Sequence, residues 1–153
     1  MSRRDLIKKI AIISGIVLAV IIVIIAVFFP PNGKMICKVD SAPGDPFAEY
    51  TYTVNFKLWK VKKVEAKQII TSKNKSLLQS IKEEQEQASS IYKNSNYYTY
   101  TTSLKGKELT SISTVDYTKA NMEEIVTKEG KSDLFIRNLK KLYQKGGATC
   151  SYK

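Results

Sequence analysis

The chain has 153 residues and a net charge of +11, room for one modest domain and a surface drawn to anionic partners. It contains no histidine. Ser-His-Asp and Cys-His nucleophiles and imidazole metal ligands are therefore excluded together.

Residues 1–9 form a short tail in which Arg3, Arg4, Lys8 and Lys9 outweigh Asp5. From Ile10 to Phe29 the chain reads IAIISGIVLAVIIVIIAVFF, without a charge. As a helix at about 1.5 Å per residue this run spans roughly 30 Å of hydrocarbon. A core helix apolar on every face would need a far larger protein around it. Pro30 and Pro31 end the run. Basic residues precede it and only Lys34 and Lys38 follow closely, so the N-terminus is expected in the cytoplasm and residues 30–153 outside the cell membrane. FFPPNGK offers no small-x-small cleavage site, and Lys34-Met35-Ile36 lacks the small residues that lipoprotein processing at Cys37 needs. The helix is thus expected to remain as a single-pass anchor. Ala11, Gly15 and Ala19 fall four apart on one helix face, which would let a second helix approach and form a homodimer.

The tail holds +3 of the charge (four basic residues less Asp5), which leaves +8 for the outer domain. Outside the membrane this surface meets lipid headgroups, anionic envelope polymers or another membrane protein, and nucleic acid is not an expected partner.

In the outer domain, Lys34 to Asp40 reads as a short strand, followed by the turn SAPGDP. Glu49 to Leu58 alternates, with Tyr50, Tyr52, Val54, Phe56 and Leu58 on one face. A turn near Trp59 and Lys60 leads to Val61–Ile70, where Val64, Ala66 and Ile70 share a face, so the two runs are expected to form a hairpin. Between Asn74 and Tyr92 the period becomes helical, with Leu77, Leu78, Ile81, Ala88, Ile91 and Tyr92 on one stripe and Ser72 or Asn74 as cap. Tyr97–Leu104 and Leu109–Tyr117 are strand-like and flank Lys105-Gly106-Lys107, a second hairpin signal. A short helix is expected around Lys119–Val126. Another runs from Asp133 to Gln144, with Leu134, Phe135, Leu139, Leu142 and Tyr143 inward and Gly146-Gly147 as its stop. ATCSY closes the chain as a strand. The order predicts an α+β fold, an antiparallel sheet with helices packed on one face.

Cys37 and Cys150 are the two cysteines, both beyond the apolar run on the oxidising side, and they are expected to form a disulfide joining the first and last strands. They lack the Cys-x-x-Cys spacing of a redox pair. Carboxylate chemistry survives the loss of histidine, but Glu83, Glu84 and Glu86 spread around the polar side of a helix among Lys82 and Gln85, as a solvated face does. Asp40, Asp45 and Glu49 surround the proline turn, and their spacing matches no calcium-loop motif. No catalytic residue, metal or cofactor is expected. Asn74-Lys75-Ser76 fits an N-glycosylation pattern and also a helix cap, and the cap is the expected reading. YTYTVNF and NYYTYTTS could present rings for stacking on sugars, or fill a sheet face against helices, which is commoner.

The hairpin YTVNFKLWKVKKVEAKQII, a helix, a second hairpin ending STVDYTKANMEEI, and a closing helix before LYQKGGATC together resemble a family of small bacterial envelope proteins, mostly lipoproteins of unknown function, of the YehR type. The resemblance covers nearly all of Lys34 to Lys153. Members are commonly held by a lipid on cysteine, and this chain departs by keeping its apolar helix. The resemblance implies no catalytic residues. The reading that follows is a non-enzymatic, membrane-anchored binding or scaffolding domain. A single-span subunit of a secretion or conjugation complex is the alternative, and a carboxylate-dependent enzyme comes third.

Overall fold

The computed structural model describes residues 30–120 and 134–153. Arg3, Arg4, Lys8, Lys9, Ala11, Gly15, Ala19 and the whole apolar run lie outside the described residues. So does most of the helix expected over Lys119–Val126; its first two residues, Lys119 and Ala120, close a turn. Among the described residues no helix is long and apolar enough to cross a membrane.

The strands are β1 (Asn32–Asp40), β2 (Phe47–Lys57), β3 (Lys60–Thr71), β4 (Tyr98–Lys105), β5 (Glu108–Asp116) and β6 (Thr149–Tyr152). The helices are α1 (Lys75–Ser90), between β3 and β4, and α2 (Ile136–Lys145), before β6. All six strands form one antiparallel sheet in the order β4-β5-β3-β2-β1-β6. Side chains directly opposite on paired strands share a face. The row Cys150, Cys37, Tyr52, Ala66, Ser113, Tyr100 therefore crosses every strand on one face. Both helices pack on that same face, as the alternation of Tyr50 to Phe56 predicts. α2 supplies Ile136 to a core of Met35, Cys37, Val54, Phe56, Val61 and Ala148. α1 supplies Leu78 to a second core with Ile70 and Leu109.

Local chemistry sets the ends of these elements. Asn74 is the N-cap of α1, its Oδ1 accepting from the Leu77 N–H at 3.1 Å. Ser72 Oγ in turn accepts from the Asn74 N–H at 3.0 Å. Gly106, at φ +61, opens the two-residue turn between β4 and β5, where a first central glycine is favoured. At Gly33, φ +146, an added Cβ would meet the Lys153 carbonyl at 3.0 Å, so only glycine lets β6 pair this closely.

Several expectations require correction. Leu58 does not continue the inward face of β2; it forms the two-residue β2–β3 turn with Trp59 and is 62% exposed. α1 ends at Ser90, which leaves Ile91 exposed beyond the helix, and Ala88 is exposed as well. α2 begins at Ile136 because the preceding residues are held extended: Phe135 bridges Lys60, the Val61 N–H donates to the Leu134 carbonyl, and the Ile136 N–H donates to the Trp59 carbonyl. The helix phase shifts with this start. Ile136 becomes the buried residue, Leu139 and Tyr143 pack beside it, and Phe135 and Leu142 stay exposed.

Candidate functional site

The inward face of the sheet is not uniformly apolar. One end carries Val54 beside Val64 and Val115, and the other carries Ala48, Ile70, Leu109 and Leu104. Between them lie two rows of a different chemistry: Tyr50, Gln68, Ser111, Thr102, and Tyr52, Ala66, Ser113, Tyr100. All of this band but Thr102 forms the floor of a groove of about 350 Å³, with Lys67 and Tyr98 also in its lining and Gln85, Ala88, Ser89 and Tyr92, at the C-terminal half of α1 and its exit, as its wall. A second, wider hollow continues past Tyr92 and Tyr98 toward Lys93 and the edge of β4. The Tyr92 and Tyr98 rings, 4.6 Å apart between centroids, stand between the two.

Gln85 organises the groove. It falls seven residues after Leu78, two turns along the buried stripe of α1, and so points at the sheet. Its Nε2 donates to Gln68 Oε1 at 2.7 Å, and its Oε1 accepts from Ser111 Oγ at 2.6 Å and from the Tyr100 hydroxyl at 3.0 Å. Gln68 Nε2 passes the chain on to the Tyr50 hydroxyl at 2.8 Å. Ser111 is buried, so this network supplies the partners its hydroxyl needs. Sequence periodicity alone did not find Gln85. The available signal was a glutamine on an otherwise apolar helical stripe, facing strands that carry glutamine and serine at inward positions.

On the α2 side, the Tyr52 and Tyr143 rings stack with centroids 4.5 Å apart. Burial pushes the Tyr143 hydroxyl up to about 12, with the Tyr52 phenol beside it adding to the effect. Burial first, then Tyr50, raises Tyr52 as well. Both phenols are therefore neutral hydrogen-bonding groups at ordinary pH. Burial also raises Tyr152, partly offset by Arg137, and the Lys140 ammonium lies over its ring at 4.5 Å from the centroid.

Cys37 and Cys150 are brought together as a disulfide between β1 and β6, with Cα atoms 4.0 Å apart. Lys34 and Lys153 exchange both backbone hydrogen bonds, so the alternation of an antiparallel ladder makes Cys37 and Cys150 a non-hydrogen-bonded pair, the kind in which side chains approach most closely. The acidic residues do not converge. Glu83, Glu84 and Glu86 are exposed on α1, and Glu86 pairs with Lys82 at 3.5 Å. Asp40 and Glu49 are exposed cross-strand neighbours. Asp45 is engaged elsewhere: hydrogen bonds from the Ser72 hydroxyl and the Lys73 N–H, the latter at 3.3 Å, hold its carboxyl below the usual range. It ties the β1–β2 loop to the start of α1. Among the described residues no three acidic or cysteine side chains cluster as metal ligands would.

No family model matches the chain, and no curated protein matches its sequence. Solved structures do. The NMR structure of the Escherichia coli YehR protein aligns over 78% of this chain and 91% of its own, with a TM-score of 0.58 and 14% identity. An NMR structure of a protein from Streptococcus pneumoniae TIGR4 aligns over 76% and 84%, with a TM-score of 0.49 and 13% identity. At such identity the likeness to YehR is one of fold: a six-stranded antiparallel sheet with two helices, in an α+β arrangement.

Proposed function

We propose that this chain is a membrane-tethered domain of the bacterial cell envelope that binds a neutral, hydroxyl-rich ligand and performs no catalysis. The groove carries the reading. Its described lining is mainly tyrosine rings, glutamine amides and serine hydroxyls, with two alanines, one cation, Lys67, and no carboxylate. Rings of this kind stack on the C–H faces of sugars while amides bond hydroxyl groups. The tether rests on the apolar run from Ile10 to Phe29 and the basic residues before it. The fold shared with YehR is compatible with membership of that envelope family, with a membrane helix replacing the lipid anchor.

The test has two parts. Protease added to intact, wall-stripped cells should digest the outer domain, whereas protection would overturn the orientation. The detergent-solubilised full chain, titrated with neutral cell-wall oligosaccharides, should bind saturably, and Gln85→Ala should weaken binding by about tenfold, the loss of one buried hydrogen-bonding partner. Absence of saturable binding, or equal binding by the variant, would overturn the groove as the site.

A further inference from the structure

The β2–β3 turn gives its two central positions to Leu58 and Trp59, at φ +52 and +60. These are the φ values of a type I′ turn, a geometry in which Asn-Gly relieves strain and bulky residues do not. Both are large hydrophobic side chains outside the buried cores, Leu58 at 62% and Trp59 at 45% exposed. Phe135, also 45% exposed, is bridged to Lys60 at the same end of the sheet. Lys57 and Lys60, both exposed, flank the turn. The fold alone would favour neither of these turn residues, so their chemistry points to a surface outside the domain.

The chain path says which surface. Asn32, the first residue of β1, accepts a hydrogen bond from the Leu58 N–H on its Oδ1 at 2.8 Å. Phe29, the last residue of the apolar run, stands three residues before Asn32. Three residues reach at most about 11 Å even when fully extended. The turn is thus tied to the residue at which the chain coming from the apolar run enters the domain. From these observations we propose that the Leu58–Trp59 tip, with Phe135 and flanked by Lys57 and Lys60, lies in the headgroup layer of an anionic bilayer and sets the domain's tilt on the membrane. This inference rests on the tether reading above and is independent of the groove. Tryptophan favours the boundary between hydrocarbon and water, where its ring is buried and its N–H stays wet. Lysines beside it complement anionic headgroups.

Trp59 is the sole tryptophan, so the protein carries its own reporter. The full chain would be placed in nanodiscs of anionic phospholipid with acyl chains brominated near the headgroup, and carbonate extraction run in parallel. Bromine should cut Trp59 emission by about half relative to unbrominated lipid, as for a ring at the interface. Leu58→Asn should reduce this quenching while leaving the melting temperature unchanged or higher, because asparagine suits the turn. Unquenched emission from a chain that resists carbonate would overturn the tip alone and leave the tether standing. A blue-shifted but unquenched emission would overturn the lipid assignment in favour of a second copy covering the tip. Release of the chain by carbonate would overturn the tether and the tip with it.

Discussion

Cys37 on the first strand and Cys150 on the last face each other directly across one ladder, Cα to Cα 4.0 Å, and close a loop with a sequence separation of 113. In the chain-entropy account a loop near this length removes about 4.7 kcal/mol from the unfolded state. Reduction should lower the melting temperature and leave a folded domain, since the apolar partners of Cys37 in the first core and the separate core of Ile70, Leu78 and Leu109 remain. Cys37→Ser and Cys150→Ser should each reproduce the loss, and the double variant should add little. Because Cys37 is fully buried, the native bond should also react slowly with reductant. Two free thiols counted on the native, unreduced protein would remove the bridge.

Gln85 bonds Gln68, Ser111 and Tyr100 at once. Truncation to alanine takes from the buried Ser111 hydroxyl its shortest bond, at 2.6 Å, and leaves it only the 3.3 Å contacts with Tyr100 and Thr102, so it should destabilise the domain by about 1–3 kcal/mol in urea unfolding. A change within the error of the measurement would mean that solvent replaces the amide and that the network does not hold α1 in place.

Tyr97 behaves oppositely. It is 1% exposed and its hydroxyl has no hydrogen-bond partner among the described residues. Removing that oxygen relieves a buried, unpaired polar group, so Tyr97→Phe should leave stability unchanged or raise it by about 1 kcal/mol. A clear loss of stability on urea titration would show that the hydroxyl has a partner after all.

Alkaline pH should unfold the domain through the stacked pair. Tyr143 is pushed from its ordinary value of 10.0 up to about 12, and Tyr52 is raised in the same direction. A phenol raised in the folded state favours folding while protonated. Its contribution is full below the unfolded value and is lost as pH climbs from about 10 through about 12. Thermal melts across this window should therefore show a falling midpoint, and Tyr143→Phe should flatten the fall. An identical slope in that variant would assign the alkaline loss to other groups.

Much of the fold was legible before any coordinates, and for identifiable reasons. The alternation of Tyr50, Tyr52, Val54 and Phe56 determined which face of β2 turns inward. Gly106 marked a hairpin, Asn74 a helix start, and two cysteines at the borders of one oxidised domain marked a bridge. Each depends on local geometry or on chemistry that needs no knowledge of neighbours. Tertiary structure decided the rest. That β3 pairs with β5, leaving β4 at an edge, is a choice among long-range partners that periodicity does not encode. Gln85 became the centre of the groove only because the C-terminal half of α1 lies over Gln68 and Ser111. Leu58 reads as the next inward residue of a strand until the turn reverses the chain beneath it. Ile136 takes the buried place expected of Phe135 because backbone bonds to the β2–β3 turn, among them the Ile136 N–H to the Trp59 carbonyl at 2.8 Å, hold the chain extended up to Phe135 and delay the helix to Ile136, while Leu139 and Tyr143 stay inward. An apolar stripe specifies the face a helix will bury only once its first residue is set, and here that residue is set by a turn nearly eighty positions away.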